Sequence, residues 1–356
     1  MTIKSTGYTL ANPNQKRVIT ARYGIPSLAQ YAFLTSNGVW IGDTESVSGQ
    51  LHANNGIRFD GTGNAPIRSA RQTYTCFAWQ GSPCPASKPG IWGAAPQSTK
   101  NFWEFPVPVI DFSTITSDLG AMRTKSQNGG IYLPPSSSQG YSLVFNSNNT
   151  VTIYKVTSLR SHPTGWDVNY VAHNEDLDYN SRTQLSVCSP SPCQLPSNGI
   201  IFIEDRTWVE GTVAGRVMVA SAKLPYNANT APSILIPNNI LYSAKDGTVS
   251  LGLLSQKDIL VTYYAPSVLE VDAALIAQNG SVQNYYFPGL IKTSITTYGA
   301  LMSFGVWTWS WVDGFGNVVS GYRNTNTVYD ASLLYAPPPD FPLTTQGYQQ
   351  ISWSSD

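Results

Sequence analysis

Residues 198–282 constrain the fold most, because short apolar runs follow one another there with Gly, Asn or Asp at nearly every break. The runs cover residues 200–203, 213–219, 233–236, 258–261 and 269–276. Each run is too short for a helix and is rich in Val and Ile, which is typical of short β-strands bounded by turns. Their centres lie roughly 13 to 25 residues apart, an irregular spacing that is compatible with successive coils of a solenoid.

The alternation inside these runs indicates how they are buried. Val213, Val217 and Val219 share one side of an extended strand, and Arg216 and Met218 share the other. Such narrow apolar stripes are buried when coils stack and parallel strands pair above and below. The sequence therefore predicts a mainly β chain, specifically a right-handed parallel β-helix (solenoid) with a small α+β insertion. An antiparallel β-sandwich is the alternative that the same alternation allows.

The insertion is predicted from a helix and a hairpin. Asp111 can cap a helix whose apolar residues Ile115, Leu119 and Met122 recur at helical spacing. Two strand-like runs joined by an Asn/Ser turn follow it and indicate a hairpin. We divide the chain into residues 1–75 (N-terminal part of the solenoid), 76–198 (insertion flanked by cysteine loops), 199–305 (central coils) and 306–356 (aromatic and Pro-rich cap or clasp).

The charge balance limits the classes of partner that the chain is expected to bind. The chain has 21 basic and 21 acidic residues, only 12% of the total, and no net charge. Nucleic acid and anionic membranes call for a basic excess, so we expect neither as a partner. No apolar run approaches the roughly 20 residues needed to span a bilayer. We expect an extracytoplasmic protein that contacts a membrane only through an N-terminal helix absent from this sequence.

The cysteines form two close pairs, Cys76 with Cys84 and Cys188 with Cys193. Neither pair has the spacing of a zinc knuckle, and with three histidines in the chain we expect no metal site and no cofactor. Two local disulfides would place the protein outside the reducing cytosol. Four free thiols are the other interpretation.

Several side chains are candidates for function, and each also has a structural explanation. Trp307, Trp309 and Trp311 alternate along one run and could form a surface on which a glycan stacks, or could pack against the end of a sheet.

Carboxylates raise the possibility of a polysaccharide lyase or hydrolase. Glu204, Asp205 and Glu210 lie close together in sequence, with Arg206 and Arg216 nearby. A solvated ladder of ion pairs explains them without catalysis, so we expect charge reversal at Glu204 and Glu210 to leave the fold intact.

Histidines suggest two further possibilities, neither of which we favour. Ser161, Asp167 and His173 could be combined into a catalytic triad, but no nucleophile elbow surrounds any serine. His52 precedes an Asn-Asn-Gly turn, where we expect it to hydrogen-bond a neighbouring coil rather than bind a metal. No phosphate-binding motif is present.

A set of motifs spread over most of the chain resembles a bacterial family found beside type IV pilus genes, the PilX-like pilus-assembly proteins of unknown function. The motifs are residues 49–56 (GQLHANNG), 202–205 (FIED), 208–211 (WVEG), 251–253 (LGL), 272–277 (DAALIA), 329–330 (YD) and 337–339 (PPP). The resemblance implies an exported, envelope-associated protein with an elongated β-rich body, an N-terminal pilin-like helix and no catalytic residues.

We therefore expect a non-enzymatic structural component of a type IV pilus or pseudopilus-like system, with an assembly, minor pilin-like or tip role. Its partners would be other pilins or envelope proteins. A glycan- or surface-binding adhesin is the first alternative, and a polysaccharide lyase or hydrolase on a β-helix is the second.

Overall fold

A computed structural model describes residues 1–43, 45–313, 316–344 and 347–355. Its N-terminal part consists of two long strands followed by short strands and one short helix. The elements are β1 (Thr2–Thr9), β2 (Asn12–Gly24), β3 (Tyr31–Thr35), β4 (Val39–Ile41), β5 (Ser46–Val47), β6 (Gln50–Ala53), β7 (Ile57–Phe59), β8 (Thr62–Gly63), β9 (Ile67–Ser69), β10 (Thr73–Thr75), β11 (Ser87–Pro89), β12 (Ile91–Trp92), α1 (Gln97–Lys100) and β13 (Trp103–Glu104).

The middle of the chain holds the longer helix and a hairpin. These elements are α2 (Ile115–Gln127), β14 (Ile131–Leu133), β15 (Gly140–Asn146), β16 (Thr150–Val156), β17 (Gly165–Trp166), β18 (Ala172–His173), β19 (Arg182–Gln184) and β20 (Cys193–Gln194). Short 3₁₀ helices lie at Leu28–Gln30, Ala78–Gln80, Phe112–Thr114, Tyr179–Ser181 and Ala331–Leu334.

The remaining strands include the apolar runs. They are β21 (Ile200–Ile203), β22 (Thr207–Val213), β23 (Arg216–Ser221), β24 (Ile234–Ile236), β25 (Ile240–Tyr242), β26 (Ser250–Ser255), β27 (Ile259–Val261), β28 (Val268–Ala277), β29 (Val282–Asn284), β30 (Ile291–Ser303), β31 (Trp307–Thr308), β32 (Ser310–Val312), β33 (Val318–Tyr329) and β34 (Gln349–Ser355).

The longest parallel sheet, which we name sheet A, joins ten strands within the described residues. Its order is β14, β21, β23, β26, β28, β30, β3, β6, β9 and β13. Neighbouring strands in a sheet lie about 4.8 Å apart, so the nine intervals give a stack of roughly 43 Å.

Spatial order in sheet A differs from chain order. The N-terminal strand β3 pairs with the second half of β30, where Thr35 lies beside Ser303, and β6, β9 and β13 continue the sheet from there. Strands β13 and β14, which are neighbours in sequence, therefore form its opposite ends.

Residues 105–130 must span the whole stack between these two ends. Residues 105–111 cover roughly 23 Å when extended, the 3₁₀ helix at Phe112–Thr114 roughly 6 Å and the 13 residues of α2 roughly 20 Å. Together they exceed the roughly 43 Å required.

Two further parallel sheets complete the enclosure of the core. Sheet B contains the start of β22 with β24, β27, β29 and β31, and sheet C contains the end of β22 with β25, β28, β30 and β33. Side chains from all three sheets form one buried apolar cluster. Near the N-terminal end, β4, β7 and β12 form a smaller parallel sheet, sheet D.

The outer side of sheet A is also apolar, which explains why runs such as Ile200–Ile203 are hydrophobic throughout. Helix α2 crosses it, and Ile115, Leu119 and Met122 are fully buried against it. The proline-rich tail lies on the same side: Pro337 accepts a hydrogen bond from Arg216, and the Asp340 carboxylate lies 2.7 Å from Nζ of Lys125.

The two disulfides lie towards opposite ends of sheet A. Cys76 bonds Cys84 in the loop after β10, and Cys188 bonds Cys193 at the start of β20. Strand β15 pairs with β22, β16 pairs antiparallel with β15, and β20 pairs with β16, so these strands cover the edge of β15. Covering an open edge in this way prevents unwanted pairing with other chains.

A separate antiparallel sheet stands apart from this body. It joins β1, β2 and β34; β1 is exposed throughout, and the described side chains of β2 and β34 are exposed or half-buried. We name it the terminal sheet.

The expectation of a mainly β chain with long parallel sheets is confirmed, and the antiparallel sandwich does not describe these sheets. The helix, the hairpin and both disulfides are also present as predicted. Strands β12 and β13 continue the N-terminal sheets past residue 76, and β14 and β15 begin the central ones, so segment 76–198 contributes to the stack as well as to an insertion. Among the described residues, no helix has the length and apolar character needed to cross a membrane.

Candidate functional site

A ladder of cations and indole rings lies on the outer side of sheet D. Trp40, Arg58 and Trp92 occupy the same register position on β4, β7 and β12 and are all half-buried. The Arg58 guanidinium lies 4.5 Å from the Trp40 ring centroid and 5.1 Å from that of Trp92. Lys88 Nζ lies 4.8 Å from the Trp92 ring, so cations and rings alternate. Such contacts stabilise by about 0.5–1 kcal/mol each at exposed sites.

Polar groups fix the ladder in place. Asp60 accepts hydrogen bonds from Nε of Arg58 at 2.7 Å and from the Trp40 indole at 2.9 Å. The pKa of Asp60 is lowered, because these bonds and one from the Ala94 amide outweigh the effect of burial, which raises it. Arg58 also donates to the carbonyl of Gln80 in the disulfide loop. The ladder is therefore preorganised before any ligand arrives.

The loop closed by Cys76 and Cys84 borders the ladder. Buried Gln80 anchors it by donating to the Val39 carbonyl at 2.9 Å and accepting from the Tyr74 hydroxyl at 2.9 Å. Gly81 lies in this loop with φ +77 and ψ 174, a backbone conformation that favours glycine.

In the same disulfide loop, Trp79 is 47% exposed and stacks on Phe77 with ring centroids 5.1 Å apart. The surface thus combines an open indole face with hydrogen-bonding groups held by a disulfide loop. This combination can bind a ring-shaped polar molecule such as a sugar.

The tryptophans singled out from the sequence lie elsewhere. Trp309 is 2% exposed and fills the core, and Trp307 packs edge-on against Phe33 with centroids 4.8 Å apart. Trp311 donates to the Asn284 carbonyl at 2.8 Å and lies against Tyr286. Packing therefore accounts for Trp307 and Trp309, which fill the interior near the junction of β30 and β3. A ligand role for the three tryptophans stays a prediction, and the buried Trp309 offers no face to it.

The carboxylates considered for catalysis point to separate partners. Glu204 lies 2.6 Å from Nε of Arg123 on α2, and Glu210 lies 3.3 Å from Nη1 of Arg182 and accepts from the Tyr179 hydroxyl at 2.9 Å. Both carboxylates are buried, so the expected solvated ladder is wrong.

The third carboxylate, Asp205, and the two arginines considered beside it also have separate partners. Asp205 accepts from the amide and hydroxyl of Ser136, Arg206 lies over the Trp208 ring, and Arg216 reaches the proline tail. The three carboxylates belong to three different contacts between elements.

A buried histidine joins two carboxylates on the outer side of sheet B. His173 lies with Nδ1 2.9 Å from Glu175 and Nε2 3.1 Å from Asp167, and its ring stacks on Tyr285 with centroids 4.1 Å apart. A neutral imidazole has one N–H, so only the imidazolium can donate to both carboxylates. Burial alone lowers the pKa of His173, but the hydrogen bonds and charges of Glu175 and Asp167 outweigh it and raise the pKa.

His173 and Asp167 do not form a catalytic triad with Ser161. Ser161 contributes its backbone carbonyl to the Tyr264 hydroxyl at 2.9 Å, and no hydrogen bond between Ser161 and His173 is found among the described residues. The histidine instead holds together residues 157–185, which we name the flap, and its ring stacks on Tyr285. Backbone hydrogen bonds between Trp166 and Tyr286, and one from the Trp208 indole to the Glu175 carbonyl at 2.9 Å, fasten the flap onto the outer side of sheet B. The flap also contributes Leu177 to an apolar cluster with Trp208, Leu235 and Leu260.

His52 is 2% exposed, and its Nε2 lies 3.0 Å from the Asn54 side-chain oxygen. Burial lowers the pKa of His52 to about 4, so the ring is neutral near pH 7. Asn54 in turn exchanges two hydrogen bonds with Ile110 in the crossing segment. Within the described ranges, no group of histidine, cysteine and acidic residues has the arrangement of a metal site.

Sequence reasoning missed the ladder because its members are 18 and 34 residues apart. That spacing matches the register of β4, β7 and β12, but only the pairing of the strands reveals it.

Comparisons with known proteins add little. No protein-family model matches the chain, and no curated protein sequence matches it significantly. Among solved structures, the chain is similar to the crystal structure of the competence-associated pilin ComZ from Thermus thermophilus. The identity is 11% and the TM-score 0.38, over 100% of this chain and 80% of that one. A similarity of this size carries no argument about fold or function.

Proposed function

We propose that the chain is the rigid, non-enzymatic body of an exported surface protein, a structural component of a type IV pilus or pseudopilus-like system, folded as a right-handed parallel β-helix. The ten-strand order of sheet A carries the proposal, because it makes a stiff unit roughly 43 Å long. A segment crossing from one end to the other, α2 with residues 105–114, reinforces that unit. The pilus assignment rests on the sequence motifs described above.

Two observations support a structural rather than catalytic role. Glu204, Asp205 and Glu210 each hold a different pair of elements together, and His173 with Asp167 stabilises the flap internally. The two disulfides support a location outside the cytosol, since disulfides persist mainly in oxidising compartments.

A deletion strain tests this role. We expect loss of the gene to reduce pilus number or length, and expression of the wild-type chain in its native context to restore it. Antibody against the chain should label intact, unpermeabilised cells. Labelling that requires lysis, or unchanged pili in the deletion strain, would refute the proposal.

The ladder surface favours a second role, glycan or surface binding at the N-terminal end of the stack. Trp79 is 47% exposed in the disulfide loop, and the carbonyl of the next residue, Gln80, accepts a hydrogen bond from Arg58 of the ladder. Tryptophan fluorescence titrated with a panel of polysaccharides tests it. We expect Trp79→Ala to weaken binding roughly tenfold, from the loss of about 1–1.5 kcal/mol of aromatic contact.

A matched substitution separates this surface from the tryptophans of the C-terminal region. Trp311→Ala should leave the affinity unchanged, and a loss with Trp311→Ala but not with Trp79→Ala would move the site there. Pilus assembly should be unaffected by Trp79→Ala, which separates binding from the structural role.

A further inference from the structure

The first 24 residues carry a charge that the whole chain conceals. They contain Lys4, Lys16, Arg17 and Arg22 and no acidic residue, while the full chain has 21 basic and 21 acidic residues. The remainder therefore has 17 basic and 21 acidic residues, a net charge of −4. All four basic side chains are exposed, and none forms a salt bridge within the described part of the chain.

The terminal sheet that carries these charges also exposes an apolar row. Ile3, Ala21 and Trp353 lie directly opposite one another on β1, β2 and β34, so their side chains share one side of the sheet. Ile3 is 45% exposed and Trp353 64%, and Ile19, two residues along β2 on the same side, is 46% exposed. No layer of the described chain covers this row.

The turn between β1 and β2 extends this apolar character to the tip. Leu10 is 95% exposed at the turn, and Tyr8, at the end of β1, is 59% exposed. Lys16 lies opposite Tyr8 and Arg17 opposite Gly7, so two cations stand directly behind the apolar tip. Aliphatic and aromatic side chains flanked by basic ones are typical of segments that lie in the interface of a bilayer with anionic headgroups.

We infer that the hairpin of β1 and β2 docks onto an anionic lipid surface, with Leu10 and Tyr8 entering the headgroup region and Lys16 and Arg17 contacting the phosphates. Charge complementarity selects this partner over a second copy of the arm, because two arms that each carry four positive charges repel one another. The inference does not depend on the pilus role, and it replaces our expectation that zero net charge excludes an anionic membrane.

Co-sedimentation of the full chain with vesicles tests the inference. Vesicles of phosphatidylglycerol and phosphatidylcholine should bind the chain, and vesicles of phosphatidylcholine alone should bind it much more weakly. Each basic residue near an anionic surface contributes roughly fivefold in affinity, so Lys16→Gln with Arg17→Gln should weaken binding roughly 25-fold. Leu10→Ser should weaken it roughly tenfold.

A matched control removes two exposed cations from the body, Arg71→Gln with Arg323→Gln, and should leave vesicle binding unchanged. The inference would be overturned if the chain bound neutral vesicles as well as anionic ones, or if the control variant lost as much affinity as Lys16→Gln with Arg17→Gln. Failure to bind anionic vesicles at low salt would also overturn it. So would a wild-type chain that dimerises in solution without binding vesicles and becomes monomeric with Leu10→Ser, since the apolar tip would then serve a second copy.

Discussion

The buried histidine that holds the flap together, His173, gives the most specific prediction. In His173→Leu, Glu175 and Asp167 lose a buried cation that both carboxylates contact within 3.1 Å. Removing one partner of a buried pair costs about 3–5 kcal/mol. We expect the lower value, about 3 kcal/mol, because Asp167 keeps hydrogen bonds from the Asn169 and Val171 amides. Because these contacts lie within the flap, that is roughly a 150-fold increase in the population of the locally unfolded flap.

The effect should depend on pH with a defined sign. The pKa of His173 is raised, so its stabilisation is fully present below about 6.5 and is lost as pH rises through the folded-state pKa. Burial raises the pKa of Glu175, but the hydrogen bond and the charge of His173 outweigh burial, so the pKa is lowered overall. The stabilisation from Glu175 is therefore lost as pH falls through its folded-state pKa. The difference between wild type and His173→Leu should therefore be largest in mildly acidic solution.

Hydrogen exchange measured by mass spectrometry reports the opening locally. At pH 6 we expect amides of residues 157–185 to exchange roughly 150-fold faster in the variant, and amides of residues 294–303 in β30 to be unchanged. Thr164→Ala is a control on the same flap, since the Thr164 side chain is exposed to solvent. No change in the flap at pH 6, or a difference that grows as pH rises, would refute the reasoning.

Three further changes test the contacts that hold the body together. Met122→Ala on the crossing helix should cost about 2–4 kcal/mol in denaturant unfolding, since this side chain is fully buried, and a loss below 1 kcal/mol would contradict the packing. Replacing Cys76 and Cys84 with serine should cost about 2.5 kcal/mol, as expected for a loop of this length. In Glu204→Lys the new cation would face Arg123, so we expect the free energy of unfolding to fall by about 1–3 kcal/mol. Unchanged stability would show that Glu204 is solvated, as expected from the sequence.

Local features of the fold could be predicted from the sequence because they depend on near neighbours. The strand runs in residues 200–276, the helix capped by Asp111 and the hairpin after it all follow from periodicity and turn residues within a few positions. The cysteine pairs are separated by 8 and 5 residues, so their pairing is also a local matter.

The order of the strands could not be predicted in this way. Thr35 lies beside Ser303, and this contact depends on shape and burial across the whole chain rather than on any pattern near either residue. The same limit applies to the ladder, whose members meet only after β4, β7 and β12 are paired. The basic character of residues 1–24 was available in the sequence, but a net charge taken over the whole chain hid it.

The distance between β13 and β14 tests the account most directly. Asn101 and Pro135 are exposed and lie beside β13 and β14, so cysteines introduced there can carry spin labels. No native cysteine among the described residues is free to react with the label. The observed order places β13 and β14 at opposite ends of sheet A, so pulsed electron paramagnetic resonance should give a distance of roughly 40 Å. A distance below about 20 Å would show that the strands stack in chain order, and would contradict the account.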